Sequence, residues 1–244
     1  MRYFCRISYD GTPFCGWQRQ PGGRSIQQLL EQAAAVILRR PVGFTGAGRT
    51  DAGVHARAQG AHFDCEAPLD PGRFTQSMNA LLPPEIAVYG VVPVASSFHA
   101  RFSAVRRAYR YTICLRKSPL LRHRAWHVAW RIDWERLGEE AAALRGEHDF
   151  RTFCSSGSGS ATAVCRVTDA VIVPEDECMV FSIEADRFVY RMVRSIVGTL
   201  VDIGRGEQRL PMKDIVDSKD RSLAGTTAPP CGLVLDNVVY AEVE

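Results

Sequence analysis

The sequence predicts an α+β protein of two similar halves, built mainly from antiparallel sheets. Helical patterns fall between strand-like patterns, but without the strict strand–helix–strand rhythm of a parallel sheet. Two strand-like stretches, residues 163–173 and 178–185, follow each other closely and are typical of a paired hairpin. The order of strands and helices in the first hundred residues is similar to the order in the rest of the chain. We therefore expect one half over residues 1–103 and the other over residues 104–244.

The first half reads strand, helix, strand, helix, strand. Its strands are predicted in three stretches: residues 2–9, 59–64 and 86–92. Ser25 begins the first helix, Gln28 completes a capping box, and Pro41 ends the helix. Its predicted apolar face consists of Ile26, Leu29, Leu30, Ala33, Val36 and Ile37. Asp70 and Pro71 are a good N-cap and first turn for a second helix, which runs to about residue 81.

The second half contains four predicted strands and three predicted helices. The strands cover residues 108–115, 163–173, 178–185 and 233–239. The helices cover residues 133–144, 190–203 and 211–218. Residues 155–162 are rich in Ser and Gly, which predicts a mobile linker.

The charge is concentrated in one segment, although the formal net charge is only +3. Nine cationic residues, here called the basic run, occur without an intervening Asp or Glu: Arg101, Arg106, Arg107, Arg110, Arg116, Lys117, Arg122, Arg124 and Arg131. Five aromatic residues lie among them: Phe102, Tyr109, Tyr111, Trp126 and Trp130. This pattern suits a polyanion with bases to stack on. A solvated strand face is the alternative interpretation.

Several classes of protein are disfavoured. The eight cysteines include no Cys-x-x-Cys pair, so their spacing fits neither a zinc ribbon nor a disulfide scaffold. His123 and His127 lack a third ligand nearby, which disfavours a metal site. No Gly-x-Ser-x-Gly motif supports acyl chemistry. No signal peptide or membrane span is visible, so we expect a reduced, cytoplasmic protein that does not bind a membrane.

The most distinctive stretch is residues 45–56, where three glycines surround a cation, a hydroxyl and a carboxylate. The polar residues are Arg49, Thr50 and Asp51. Glycine permits positive φ and the close approach of another backbone or a ligand. An ordinary surface turn, with Asp51 bonding its own backbone, is the alternative to a functional loop.

Arg194 is unusual because it lies within an apolar helical pattern. Val193, Val197 and Leu200 share its side of the predicted helix. A charge in such surroundings needs a partner, because an unpaired buried charge is costly. The sequence leaves two interpretations open: a structural salt bridge, or a guanidinium directed at an active-site carboxylate.

Seven stretches, in order along both halves, match one known family: residues 9–12, 16–20, 46–56, 98–103, 107–111, 192–198 and 220–233. On these stretches the chain resembles the bacterial tRNA pseudouridine synthase A family from end to end. The departures are small. Ser25-Ile26-Gln27 stands where the family more often has Thr-Val-Gln, and Val234 stands where an aromatic residue is common.

The resemblance implies a pseudouridine synthase fold, with two similar halves and a central catalytic cleft. It implies that Asp51 is the catalytic aspartate, that Tyr109 is the active-site tyrosine, and that Arg194 pairs with Asp51. Arg49 resembles the arginine that enters the RNA beside the flipped nucleotide. The other expected substrate-binding residues are Leu233, Arg106 and Arg110.

The resemblance also implies a reaction and its partners, and it implies no metal and no organic cofactor. We expect a homodimer that isomerises uridine to pseudouridine at positions 38–40 of the tRNA anticodon stem-loop. Whether Asp51 attacks C1′ or takes the 2′ proton stays open. So do two rival functions. A glycosidase would need a second carboxylate, such as Asp149 or Asp186. A non-catalytic RNA-binding protein would need the basic run but not Asp51.

Overall fold

The computed structural model describes residues 1–155 and 162–243. The backbone forms two compact units: residues 1–105 together with 234–244, and residues 106–233. The chain's last strand thus belongs to the first unit, whereas the sequence predicts a second half over all of residues 104–244. The predicted Ser/Gly-rich linker at 155–162 falls almost entirely outside the described residues.

The described residues form an α+β structure, as the sequence predicts. The strands are β1 (Arg2–Tyr9), β2 (Phe44–Gly46), β3 (His55–Asp64), β4 (Ile86–Val94), β5 (Ala104–Cys114), β6 (Trp126–His127), β7 (Gly146–Asp149), β8 (Val164–Glu175), β9 (Cys178–Ala185) and β10 (Leu233–Tyr240). The α-helices are α1 (Ile26–Leu38), α2 (Pro71–Leu81), α3 (Trp134–Ala142), α4 (Met192–Gly204) and α5 (Met212–Ser218).

The sheet of the first unit is mainly antiparallel. Strand β1 lies between β3 and β4 and pairs with both in the antiparallel sense. Strand β2 also pairs with β3 in the antiparallel sense. Strand β10 pairs in parallel with the start of β3, where Val234 lies opposite His55 and Leu235 opposite Ala56.

Aromatic side chains fill both faces of this first sheet. Successive residues of a strand point to opposite faces, so Tyr3 and Phe4 of β1 enter different layers. The Tyr3 ring stacks on Phe63 with 5.7 Å between centroids, and Phe63 stacks on Phe74 of α2 at 5.1 Å. On the other face, Phe4 meets Tyr240 of β10 edge-on at 5.1 Å. Helix α2 and strand β10 are therefore anchored from opposite sides of β1.

The sheet of the second unit is formed by consecutive antiparallel pairs. Strand β9 pairs with β5 and with β8, and β8 pairs with β7. The two-residue strand β6 adds to β5 in parallel. Helix α3 packs on β8 and on α4. The α4 side chains from Ser195 to Val201 are all buried, so this helix is the centre of the second core.

The predicted helix starts are confirmed by their caps. Ser25 accepts from the Gln28 backbone N–H, Asp70 from Arg73, and Asp133 from Arg136. Each cap satisfies a backbone donor that has no partner within its helix.

Two details of the helix predictions are wrong. Val36 was expected in the apolar face of α1 but is 67% exposed. Val36 lies about 80° around the helix from Ile26. The buried face of α1 is therefore narrower than predicted, and Val36 lies at its edge. Arg191 was expected inside the fourth helix. It instead precedes α4 in a left-handed conformation, with φ of 61°.

Candidate active site

Asp51 lies in the loop between β2 and β3, and a second loop from residues 10–23 fixes its backbone. The Trp17 N–H donates to the Thr50 carbonyl at 3.1 Å. Gly16 has φ of +98°, and a Cβ atom there would lie 2.6 Å from the Thr50 oxygen. The two loops thus lie backbone against backbone, and the contact requires glycine at position 16.

Further hydrogen bonds fix the residues on either side of Asp51. The hydroxyl groups of Tyr9 and Thr50 lie 2.8 Å apart and are buried. The Val54 N–H donates to the Asp51 carbonyl at 3.2 Å, in a turn where Gly53 has φ of +77°. The Asp51 side chain is partly buried. These hydrogen bonds fix the conformation of the loop that carries the Asp51 carboxylate.

The arginine of the same loop has a different environment. Arg49 is exposed, while the preceding Gly48 carbonyl accepts from the Gln59 side chain at 2.8 Å. Gly46, at the start of the stretch, lies against the Trp17 ring, where a Cβ atom would approach within 2.6 Å. The loop thus has a fixed base and an outward cation, which suits contact with a phosphate.

Tyr109 lies on β5 in the second unit, opposite Ile183 of β9. Its ring meets Phe188 edge-on, with centroids 5.0 Å apart and planes at 84°. The ring is partly buried. An edge-to-face contact of this kind restrains the ring of Tyr109 and leaves it suited to stacking.

Arg194 lies in the first turn of α4 and is held by one residue at two points. Its Nε donates to the Ala228 carbonyl at 2.8 Å, and the Ala228 N–H donates to the Arg194 carbonyl at 3.0 Å. The segment preceding Ala228 lies directly on the helix, since a Cβ atom at Gly198 would lie 1.6 Å from the Thr226 oxygen. The guanidinium is therefore oriented by its Nε.

The charge of Arg194 acts on two neighbouring groups. Burial raises the pKa of Tyr111, and Arg194 partly offsets that rise. Burial likewise raises the pKa of the Cys231 thiol, again with Arg194 acting in the opposite direction. The Tyr111 hydroxyl donates to the Pro229 carbonyl at 2.8 Å, so Tyr111 helps to hold the segment that orients Arg194.

The remaining predicted substrate-binding residues are either paired with carboxylates or buried. Arg106 lies 3.0 Å from Glu184, and Arg110 lies 2.5 Å from Glu175. The carboxylates come from β9 and β8, so the basic run is partly neutralised across strands. Leu233 is only 6% exposed. A substrate role for these three residues stays a prediction.

The first unit contains Asp51 and Arg49, and the second contains Tyr109 and Arg194. The pairing of Asp51 with Arg194 stays a prediction. Within residues 1–155 and 162–243, no three His, Cys, Asp or Glu side chains are grouped to hold a metal ion. No helix in the described part of the chain has the length and apolar character needed to span a bilayer.

Sequence reasoning missed the residues that hold the site. Tyr9, Gly16 and Trp17 fix the Asp51 loop, and Ala228 orients Arg194. All four lie in stretches that match the known family, which was a signal of importance without a role. Ala228 contributes only backbone atoms, and no side-chain pattern indicates such a contact.

The antiparallel α+β units and the glycine-bounded aspartate loop are features expected of a pseudouridine synthase. Comparison with known proteins then identifies the family. The family model described as tRNA pseudouridine synthase matches residues 6–103 and 141–241, and the chain belongs to this family. The resemblance noted from the sequence is thereby confirmed.

Named relatives match over nearly their whole length. The tRNA pseudouridine synthase A of Porphyromonas gingivalis is 43% identical over 244 residues, covering 98% of this chain and 97% of the relative. That of Parabacteroides distasonis is 42% identical, covering 99% and 96%. That of Acetivibrio thermocellus is 40% identical over 237 residues, covering 96% and 97%.

Proposed function

We propose that this chain isomerises uridine to pseudouridine in tRNA, at positions 38–40 of the anticodon stem-loop. The observation that carries the proposal is the held Asp51 loop. Gly16 and Trp17 fix the backbone of Thr50, so the neighbouring carboxylate is presented from a rigid base. Membership of the tRNA pseudouridine synthase family supports the substrate and the reaction type.

The reaction breaks the C1′–N1 bond of uridine, turns the uracil, and joins its C5 to C1′. A base inside a stem cannot be reached, so the nucleotide must be flipped out first. The glycines of the Asp51 loop let the RNA backbone approach closely. Arg49, exposed on that loop, would fill the vacated space and bind phosphate.

Asp51 acts on the sugar of the flipped nucleotide. It either attacks C1′ or takes the 2′ proton, and both routes stay open. One carboxylate suffices because the leaving base is recaptured. The usual pair in glycosidases serves water or a departing alcohol instead.

Arg194 acts on Asp51. With its Nε held by the Ala228 carbonyl, the planar guanidinium has one fixed orientation. We propose that its outer nitrogens bind the Asp51 carboxylate and stabilise its negative charge. A planar fork does this with a geometry that lysine cannot reproduce.

Tyr109 retains the detached uracil while it turns. Its ring is restrained edge-on by Phe188 at 5.0 Å, which leaves a face for stacking. Arg106, Arg110 and Leu233 complete the proposed substrate contacts. The proposal also includes a homodimer and a cytoplasmic location. Light scattering tests the homodimer, because it measures the mass of the particle in solution.

Release of tritium from tRNA labelled at uridine C5 tests the function. Formation of the new C5–C1′ bond displaces the C5 hydrogen, so a synthase releases tritium while the base stays in the tRNA. A glycosidase would instead yield free labelled uracil. A non-catalytic RNA-binding protein would release neither, and either of these results would contradict the proposal.

A further inference from the structure

A tightly held turn in the first unit presents an exposed aromatic ring. Residues 98–103 join β4 to β5, and Phe102 at their tip is 76% exposed. The Ser103 N–H donates to the His99 carbonyl at 2.8 Å, and the His99 N–H donates to the Ser103 hydroxyl at 3.0 Å. The N–H groups of Arg101 and Phe102 both donate to His99 Nδ1. The turn is therefore rigid without any contribution from the Phe102 ring.

The Phe102 ring ends a row of rings that leads out of the core. His62 is buried, and its ring lies 4.9 Å from that of His99. The His99 ring lies 4.4 Å from Phe102 at 33° between planes. His62 Nδ1 accepts from the Ala100 N–H at 3.1 Å, and the Tyr240 hydroxyl donates to the Ala100 carbonyl at 2.8 Å. One face of Phe102 is thus supported from the core, while most of the ring lies in solvent.

The charge around this ring is positive. The Arg101 guanidinium lies 5.7 Å from the Phe102 centroid, and Arg101 is exposed. Arg101 is also the first member of the basic run, in which Arg106 and Arg110 are paired with carboxylates of β9 and β8. The Phe102 ring is held on one face by His99 and has a cation beside it. Such a ring can stack on a nucleobase while the cation binds the phosphate of that nucleotide.

We propose that Phe102 is a stacking platform for an unpaired nucleobase of the tRNA substrate, with Arg101 binding an adjoining phosphate. The inference rests on the proposed function, because it takes tRNA as the ligand. It adds a binding site for a second base, distinct in its residues from Asp51, Arg49 and Tyr109. Positioning of the stem-loop by this base would contribute affinity and register.

Substitutions at position 102 separate stacking from simple apolar contact. Phe102→Ala and Phe102→Leu should each raise the Kd for tRNA about tenfold, since stacking on one aromatic ring is lost. Phe102→Trp should bind within about threefold of the wild type. Its added fluorescence, measured against the four native tryptophans, should be quenched on tRNA binding. Val36→Ala, which removes another exposed apolar side chain of the same unit, should bind as the wild type does.

The salt dependence of binding separates the two members of the platform. Arg101→Ala should reduce the slope of log Kd against log salt by about one, and Phe102→Ala should leave the slope unchanged. Wild-type affinity in Phe102→Leu would overturn the proposal. So would a halved particle mass in Phe102→Ala, which would show that the ring contacts a second copy.

Failure of the proposed function has a different signature. A wild-type protein that releases no tritium but binds tRNA through Phe102 would disprove catalysis and support the platform. A wild-type protein that releases tritium with Phe102 variants unchanged in affinity would do the reverse.

Discussion

Asp51 lies in a loop of the first unit, whereas Arg194 lies in the first turn of a helix in the second. Each is positioned by a close contact between a glycine and a backbone carbonyl oxygen, for which a side chain would leave no room. Gly16 accommodates the Thr50 oxygen and Gly198 the Thr226 oxygen, at distances of 2.6 Å and 1.6 Å from a Cβ atom built there. The same steric device thus positions an anion in one unit and a cation in the other.

The surroundings of the two glycines differ. Gly16 has positive φ, so a side chain there is disfavoured by conformation as well as by space. Gly198 is helical, and only the approach of residues 225–228 requires it. The Asp51 loop is also supported at Tyr9 and Val54, and Arg194 is held at Ala228 through its Nε and its own carbonyl.

Asp51→Asn should have the largest effect on turnover of the substitutions considered. It preserves the loop but removes the carboxylate, so turnover should fall about 10⁴-fold, the scale for loss of one member of a catalytic unit. The Kd for tRNA should stay within about tenfold, because the lost charge is negative and faces a polyanion. Tritium release and filter binding measure the two quantities. Asp217→Asn, at an exposed carboxylate of α5, is the control, and substantial turnover by Asp51→Asn would refute the assignment.

Arg194→Lys tests the cationic side of the comparison. The charge is kept, but the Nε donor to Ala228 and the planar fork are lost. Turnover should fall about 10²-fold, and the free energy of unfolding should fall by about 1–2 kcal/mol. Single-turnover tritium release and urea denaturation report these changes. If Arg194→Lys turns over as fast as the exposed control Arg209→Lys, the role of the fork is wrong.

Gly16→Ala and Gly198→Ala sharpen the steric comparison. Overpacking at Gly198 should lower the free energy of unfolding by about 1–3 kcal/mol. Gly16→Ala has a smaller steric overlap, at 2.6 Å against 1.6 Å, but its left-handed backbone adds about 1–2 kcal/mol. Urea denaturation of both variants measures the difference.

Each glycine has a control in its own unit. Gly48 and Gly138 have no atom within 4 Å of a built Cβ, so alanine at either position should leave stability unchanged or raise it slightly. Equal stability of all four variants would show that neither backbone contact is tight in solution.

The smallest expected effect is a pH dependence in the first unit. Burial, with the charges of Arg2 and His99 adding to it and Asp64 opposing it, lowers the pKa of His62 to about 4. The unfolded chain takes up this proton near pH 6.5. The free energy of unfolding should therefore fall as the pH drops from about 6.5 to about 4, since only the unfolded state is protonated there.

His62→Asn isolates that contribution. Asparagine offers an acceptor for the Ala100 N–H but does not titrate. Its denaturation midpoint should vary less with pH across this window than that of the wild type. Identical pH profiles would show that His62 is protonated in the folded state as readily as in the unfolded one.

The sequence predicted the long elements because caps and periodicity are local signals. Ser25, Asp70 and Asp133 cap their helices as expected. The strands β2 and β7 were not predicted, since elements of three and four residues are too short for a periodic pattern. Their pairing depends on the neighbouring strand more than on their own composition.

The candidate site was predicted through single residues, not through their supports. Asp51 was recognised by its glycines, and Arg194 by a charge on an apolar helix. Arg194 Nε donates to the backbone carbonyl of Ala228, a contact that no side-chain pattern indicates. The carboxylates facing Arg106 and Arg110 lie 65 or more residues further along the chain, so inspection of the basic run alone overstated its charge.

The parallel pairing of β10 with β3 also affects the order in which the first unit is completed during translation. His55 and Ala56 lie just after the Asp51 loop, and their partners are Val234 and Leu235. A ribosome delivers the loop long before it delivers those partners. The first unit thus waits with an incomplete sheet while all of the second unit is synthesised. Completion of the sheet beside the Asp51 loop is therefore a late event, and a nascent chain released early would lack the β10 pairing.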